Sequence, residues 1–396
     1  MPMYVFCLLL CCFGAILSVG AQPNAPVNCA EKRLLVVSGG GARGAWAVGL
    51  IERLHKQQGY CYPVVVGTST GALMAPLIVL NEFDTLATGY TSVTQRDIFN
   101  KNPFRRNGEL SLWRAIFRLG KPSLGESLPL REQIRRFMTP AVFERIRSSP
   151  DGLNFGVAVV NLRTQAVTYQ YARQNSYDDM VNWMWASANQ PVFMSPYITT
   201  NANGTQDFWV DGGVRDNVPV TEGLRIALAD ESFTAVDVVV NNVAATSVPS
   251  SAWPLDTRSR KANLLSVLLR TVDTYGNGTR ELNLTVGALL NELSGRAGRL
   301  SADAAPTPDG LPLSLNFYFM TSELFNLIPN ELLFNKATMT QLLEAGRRGV
   351  FVSGNANQPL AAADSARVAP GQNPVVVYSF QLSRTALSEV LQRLSR

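Results

Sequence analysis

Apolar positions along the chain follow two rhythms. Arg33 to Val37 is a short apolar run of strand type, and Gly44 to Gln57 places Ala47, Leu50, Ile51 and Leu54 on one helical face. Tyr62 to Val66 is a second all-apolar run, of the kind buried in parallel sheets, followed by GTSTG and a helical segment ending at Leu80. Two β-turn-α units in tandem predict an α/β fold with a mostly parallel sheet covered by helices. From Asp84 to Arg147 the chain turns polar, Arg-rich and broken by Gly and Pro, with short helical patterns at SLWRAIFRL and LPLREQIRRFM. That stretch reads as a lid-like insertion over the sheet. Strands resume at Leu153 to Val160, Ala166 to Tyr171, Phe208 to Val210 and Val236 to Val240, rich in β-branched and aromatic residues. A polar, helix-rich stretch begins at Ser250, followed by strands at Leu315 to Met320 and Val375 to Phe380 and a final helix to Arg396.

Length and composition narrow the picture. A chain of 396 residues accommodates one large α/β domain or a core with an added lobe. Its net charge of +5 is spread along the chain, too diffuse to point to nucleic acid. Residues 1–21 form an apolar run of signal-peptide length with small residues Val19 and Ala21 before Gln22, which predicts export to the cell exterior or periplasm. The run carries no Lys or Arg before its apolar stretch, so an uncleaved membrane anchor stays open. The expected division is signal 1–21, arm 22–32, core 33–245 with the insertion 84–147, and 246–396 as a continuation of the core or a small lobe. After signal removal only Cys29 and Cys61 remain of five cysteines, and in an exported chain these two either pair as a disulfide or stay as small buried residues.

Chemistry concentrates at Gly67-Thr68-Ser69-Thr70-Gly71. G-x-S-x-G between strand and helix is the nucleophile-elbow pattern, in which small flanking residues permit a turn sharp enough to project the serine hydroxyl. An activated serine needs a base, and the chain contains a single histidine, His55, upstream of Ser69 near the end of the first helix. A Ser-His-Asp triad is therefore disfavoured, as is a His- or Cys-rich zinc site. A carboxylate at a strand end is the natural replacement. Phe208-Trp209-Val210-Asp211-Gly212-Gly213 offers Asp211 followed by two small residues, and partial desolvation would raise its basicity enough for the task. Upstream, Gly39, Gly41 and Gly44 also spell the G-x-G-x-x-G of dinucleotide-binding proteins. The acidic ribose-binding residue expected after the second strand is missing, because Val66-Gly67-Thr68-Ser69 stands there.

Taken together, GGGARG at Gly39 to Gly44, GTSTG at Gly67 to Gly71 and DGG at Asp211 to Gly213 resemble the three blocks of the patatin-like phospholipases. Ala186-Ser187-Ala188 followed by Pro191 and Pro196, and Asn217 with Pro219, are similar to further family segments. The resemblance implies an α/β/α sandwich and hydrolysis of lipid acyl esters without metal or organic cofactor. It assigns Ser69 as nucleophile, Asp211 as general base, and the N–H groups of Gly39, Gly40 and Gly41 as the oxyanion hole, with Arg43 at the loop's basic position. A catalytically silent lipid-binding protein on the same fold is the alternative. If the substrate is a phospholipid, Ser111 to Leu119 suits an interfacial lid, with Leu112, Ile116 and Leu119 on one side, Trp113 and Phe117 nearby and Arg114 and Arg118 between; packing of this helix on the core is the other reading.

Overall fold

The computed structural model describes residues 31–105, 108–118, 120–244, 312–328, 330–353 and 373–394. The expected signal, most of the arm with Cys29, and the helix-rich stretch from Ser250 lie outside these residues.

Among the described residues ten strands make one sheet: β1 (Lys32–Val37), β2 (Cys61–Thr68), β3 (Asn154–Asn161), β4 (Val167–Tyr171), β5 (Tyr197–Thr200), β6 (Gln206–Asp211), β7 (Ala235–Ala244), β8 (Leu313–Met320), β9 (Val350–Ser353) and β10 (Pro374–Leu382). Their order is β5-β6-β3-β2-β1-β7-β8-β10-β9, with β4 paired on β3. The centre, β3-β2-β1-β7-β8, is parallel throughout. Antiparallel strands close both flanks, β6 on β3 at one side and β10 on β8 at the other. The two C-terminal strands thus extend the core sheet.

β1 shows why helices cover both faces. Its side chains alternate. Leu35 and Val37 join Trp46, Leu50 and Ile51 of α1 (Gly44–Gln58) on one side, and Leu34 and Val36 join Val220 and Leu224 of the helix Val220–Ala229 on the other. The first layer also holds α2 (Thr70–Val79) and the helices Tyr177–Ala188 and Lys336–Arg348, and the second takes Leu387 of the helix Arg384–Leu394. The result is the expected α/β/α sandwich on a mostly parallel sheet. Because β1 connects to β2 on one side while β7 lies on its other side, a crevice forms at the carboxyl ends of these strands, where ligands of open α/β sheets bind.

The insertion is more regular than its composition suggests, with helices Phe83–Ser92, Gln95–Ile98, Leu112–Ile116, Leu128–Phe137 and Pro140–Arg147. Each of the last two buries a narrow apolar stripe, Leu130 with Ile134 and Phe143 with Ile146. The helix expected over Ser111 to Leu119 is shorter, ending at Ile116.

Under the sheet's opposite end, Asp237 of β7 is fully buried and receives hydrogen bonds from Arg33 Nε (2.8 Å) and Nη2 (2.7 Å), Tyr62 OH (2.8 Å) and Asn316 Nδ2 (2.8 Å). Burial works against the Arg33 charge, but the Asp237 bonds outweigh it and hold the guanidinium pKa above its ordinary value. Strands β1, β2, β7 and β8 are tied through this one carboxylate.

Candidate active site

β2 ends at Thr68 and α2 begins at Thr70, so Ser69 must turn the chain alone. It does so with φ 54° and ψ −119°, a left-handed conformation that a non-glycine residue adopts only where its surroundings enforce it. The enforcement comes from close packing: a Cβ on Gly71 would lie 2.2 Å from the carbonyl oxygen of Val37, so no larger residue lets the elbow sit against the end of β1. Ser69 is half-buried at the N-terminus of α2, where the helix's unpaired N–H groups favour negative charge.

Sheet register brings Asp211 to the same place. Thr68 of β2 lies beside Ala158 of β3, and Val159 of β3 lies beside Asp211 of β6, so serine and carboxylate flank the end of one strand. The Asp211 carboxyl is buried and accepts the Gly213 N–H at 2.7 Å, and the Ser69 side chain lies near enough to it to favour its charged form. Burial is the largest influence on it and pushes its pKa up to about 7; the Gly213 N–H bond and the neighbouring Ser69 side chain pull the other way, and the nearby Glu331 charge adds to the rise. Gly212 is buried under Asp211 against Ala158.

One helix end registers both groups. At the C-terminus of Tyr177–Ala188, the Ser187 hydroxyl accepts the Ser69 N–H (3.1 Å) and donates to Ala158 O (2.7 Å). Two residues on, Asn189 O accepts the Asp211 N–H at 3.0 Å. A shift of this helix would move nucleophile and carboxylate together.

The glycine loop follows β1. Gly39 N–H donates to both Asn217 O (3.0 Å) and Asn217 Oδ1 (2.7 Å), so it is already spoken for. Gly40 and Gly41 N–H have no partner among the described residues, which narrows the three expected donors to these two. Gly41 has φ 53°, and a Cβ there would meet Glu331 O at 2.2 Å, so the loop's shape requires glycine. Gly44 opens α1 against Thr70, and Gly67 is packed against Gly71 in the elbow. Arg43 is turned toward the C-terminal region: its guanidinium donates to Ile328 O (3.0 Å), pairs with Glu331 (3.4 Å) and stacks 3.9 Å over Phe325. Burial lowers its pKa, partly offset by Glu331. The backbone N–H of Arg43 donates to Gly40 O at 3.0 Å, so the residue fixes the position of the loop.

Glu331 and Gln190 had no motif to announce them. Glu331 O accepts the Ala42 N–H (2.9 Å), and its carboxylate accepts from Gln190 Nε2 (3.4 Å). A segment nearly 300 positions downstream in sequence therefore seats the glycine loop. Only tertiary contact could have found it.

Beside Ser69 opens a narrow cavity of about 110 Å³, walled by Leu73 and Leu77 of α2, Leu86 and Tyr90 of the insertion, Ile134, and Met339. Its few polar groups are largely satisfied, since the Tyr90 and Thr70 hydroxyls bond each other. The wall suits an apolar chain.

His55 lies elsewhere. Its Nδ1 contacts Tyr60 O at 2.8 Å and its ring packs 5.1 Å from Phe83. Eleven residues along α1 from Gly44, it stands about 16 Å from the loop end of that helix. His55→Ala is expected to leave ester hydrolysis within about threefold of the parent, whereas a loss like that of removing Ser69 would restore a histidine mechanism. Cys61 is disulfide-bonded; Cys29, its expected partner, lies outside the described residues. No group of three or more His, Cys, Asp or Glu able to hold a metal occurs among the described residues.

Comparison with known proteins bears on this geometry. Residues 35–224 match the family model for patatin-like phospholipase. Among solved structures, the crystal structure of VipD from Legionella pneumophila is similar at 13% identity with a TM-score of 0.34, covering 80% of this chain and 67% of that one. No curated protein matches the chain. The matched span contains the glycine loop, the elbow serine and the strand-end aspartate: residues 35–224 are similar to a patatin-like phospholipase domain, whose family is one of lipid acyl hydrolases.

Proposed function

We propose that the protein hydrolyses lipid carboxylic esters with Ser69 as nucleophile, Asp211 as general base, and the Gly40 and Gly41 N–H groups as oxyanion donors. The observation that carries this reading is the strained Ser69 elbow set by the sheet register beside a buried carboxyl whose pKa is pushed up to about 7, at the mouth of an apolar cavity. Asp211 takes the Ser69 proton as Oγ bonds to the ester carbonyl carbon, and the resulting oxyanion meets the loop N–H groups. Collapse breaks the bond to the leaving alkoxide, which departs with the proton from Asp211. Water then gives its proton to Asp211, attacks the acyl-serine and releases the fatty acid, Ser69 recovering its proton from Asp211.

The test is labelling by a serine-directed fluorophosphonate across pH. Asp211 works as the carboxylate, so protonation below about 7 removes the base; labelling of Ser69 is expected to rise as pH passes through about 7 and then level off. A folded chain that gains no adduct on Ser69 at pH 8 would support silent lipid binding instead. Stability runs the opposite way. The folded carboxyl titrates near 7 and the unfolded one near 4, so this group favours the folded state most below pH ~4, and that contribution is lost as pH rises through about 7. Export is part of the same proposal: the disulfide at Cys61 suits an oxidising compartment.

A further inference from the structure

The insertion carries an apolar face turned the wrong way for packing. Of the six large exposed hydrophobics among the described residues, four lie between positions 113 and 128. Trp113 is 70% exposed, Ile116 53% and Phe117 82%, at spacings of three and four residues that place them on one side of Leu112–Ile116. The buried member of this turn is Ala115, and the arginines are held back against the protein by their bonds: Arg114 donates to Asn102 O (3.0 Å) and Phe104 O (2.8 Å), and Arg118 donates to Ser123 O (3.0 Å) and pairs with Glu126 (2.8 Å). A helix meant to pack on the core would reverse this arrangement. Here Trp, Ile and Phe meet water while cations anchor their base, as in segments that enter the headgroup region of a membrane.

A groove beside the face is basic. Arg96, Lys101, Arg105, Arg114 and Arg118 line it together with Phe117, and no acidic residue does. Arg118 is neutralised by Glu126, and Arg105 stands 3.8 Å from Glu109. Arg114 binds only carbonyls in the contacts above, so its charge persists, and Arg96 and Lys101 form no ion pair among the described residues. Phe334 is a wall common to this groove and to the apolar cavity at Ser69, so the basic surface and the acyl cavity adjoin.

We propose that Trp113, Ile116 and Phe117, with the groove cations Arg96, Lys101 and Arg114, dock the protein on an anionic lipid surface. The inference rests on the lipid-hydrolase reading and adds to it where the substrate is met. Apolar burial holds the aromatic face in the bilayer interface, and the groove contributes attraction to anionic headgroups that salt weakens.

The experiment uses full-chain Ser69→Ala, which binds without turnover, in co-sedimentation with vesicles of phosphatidylcholine alone or with phosphatidylglycerol added. The expected result is stronger binding to the phosphatidylglycerol vesicles, weakened by salt. Adding Trp113→Ala with Phe117→Ala should weaken binding about tenfold or more, and adding Arg96→Gln with Lys101→Gln about tenfold, with folding verified by circular dichroism. Equal binding to both vesicles, folded variants that bind like their parent, or no vesicle binding at all (as for a surface made for a protein partner) would overturn the proposal. Hydrolysis of a soluble short-chain ester by the unmutated chain reads the enzyme separately: its absence would sink the hydrolase reading while the vesicle result stands by itself.

Discussion

Replacing Ser69 with alanine is expected to lower ester hydrolysis by about 10⁴-fold or more, with the fold intact, and Asp211→Asn to lower it by a similar order. The reasons differ. Alanine removes the atom that attacks. Asparagine retains an oxygen that can accept the Gly213 N–H, now at 2.7 Å, but it cannot take a proton. Since burial penalises the Asp211 charge, Asp211→Asn should be no less stable than the parent at pH 8, so a loss of turnover there is a chemical loss. Turnover of a short-chain ester, alongside a thermal melt, measures both. Activity within about tenfold of the parent in either folded variant would refute the serine-aspartate assignment.

The second large effect is on stability. Asp237→Ala leaves Arg33, a buried cation, without its bidentate partner, and strips Tyr62 OH and Asn316 Nδ2 of their shared acceptor. Breaking a buried pair from one side costs about 3–5 kcal/mol. The lower end applies here, because Arg33 Nη1 also bonds Glu31 at 2.9 Å and its guanidinium stacks 3.9 Å over the Tyr60 ring. Urea denaturation would read the change. Pairing Asp237→Leu with Arg33→Met should recover most of it, since no charge is then left buried alone. A loss below about 1 kcal/mol for Asp237→Ala would mean that water reaches Arg33 and the network is weaker than its geometry suggests.

How much of this was legible depended on the range of the interaction. Strands β1, β2, β3 and β7 were readable because burial on both faces demands unbroken apolar runs, and α1 because one face of it alone is core. The strand β5 and the helix Tyr177–Ala188 escaped notice. β5 is a four-residue edge strand of half-exposed side chains, and the apolar residues of the helix are spread around it by two tryptophans that pack sideways. The insertion looked irregular because its helices bury only narrow stripes.

By itself the sequence determined the α/β class, the elbow at Ser69, the strand-end carboxylate at Asp211 and the improbability of a histidine base. These depend on spacing, on small residues at sharp turns, and on which residue types exist in the chain at all. Only the tertiary structure decided which glycine N–H groups remain open, since Gly39 is taken by Asn217 from 178 positions away. It also decided that Arg43 serves the loop's position through Glu331, that burial makes Asp211 basic, and that Trp113 and Phe117 face outward. Those outcomes rest on desolvation and on contacts between distant segments, and a local pattern carries neither.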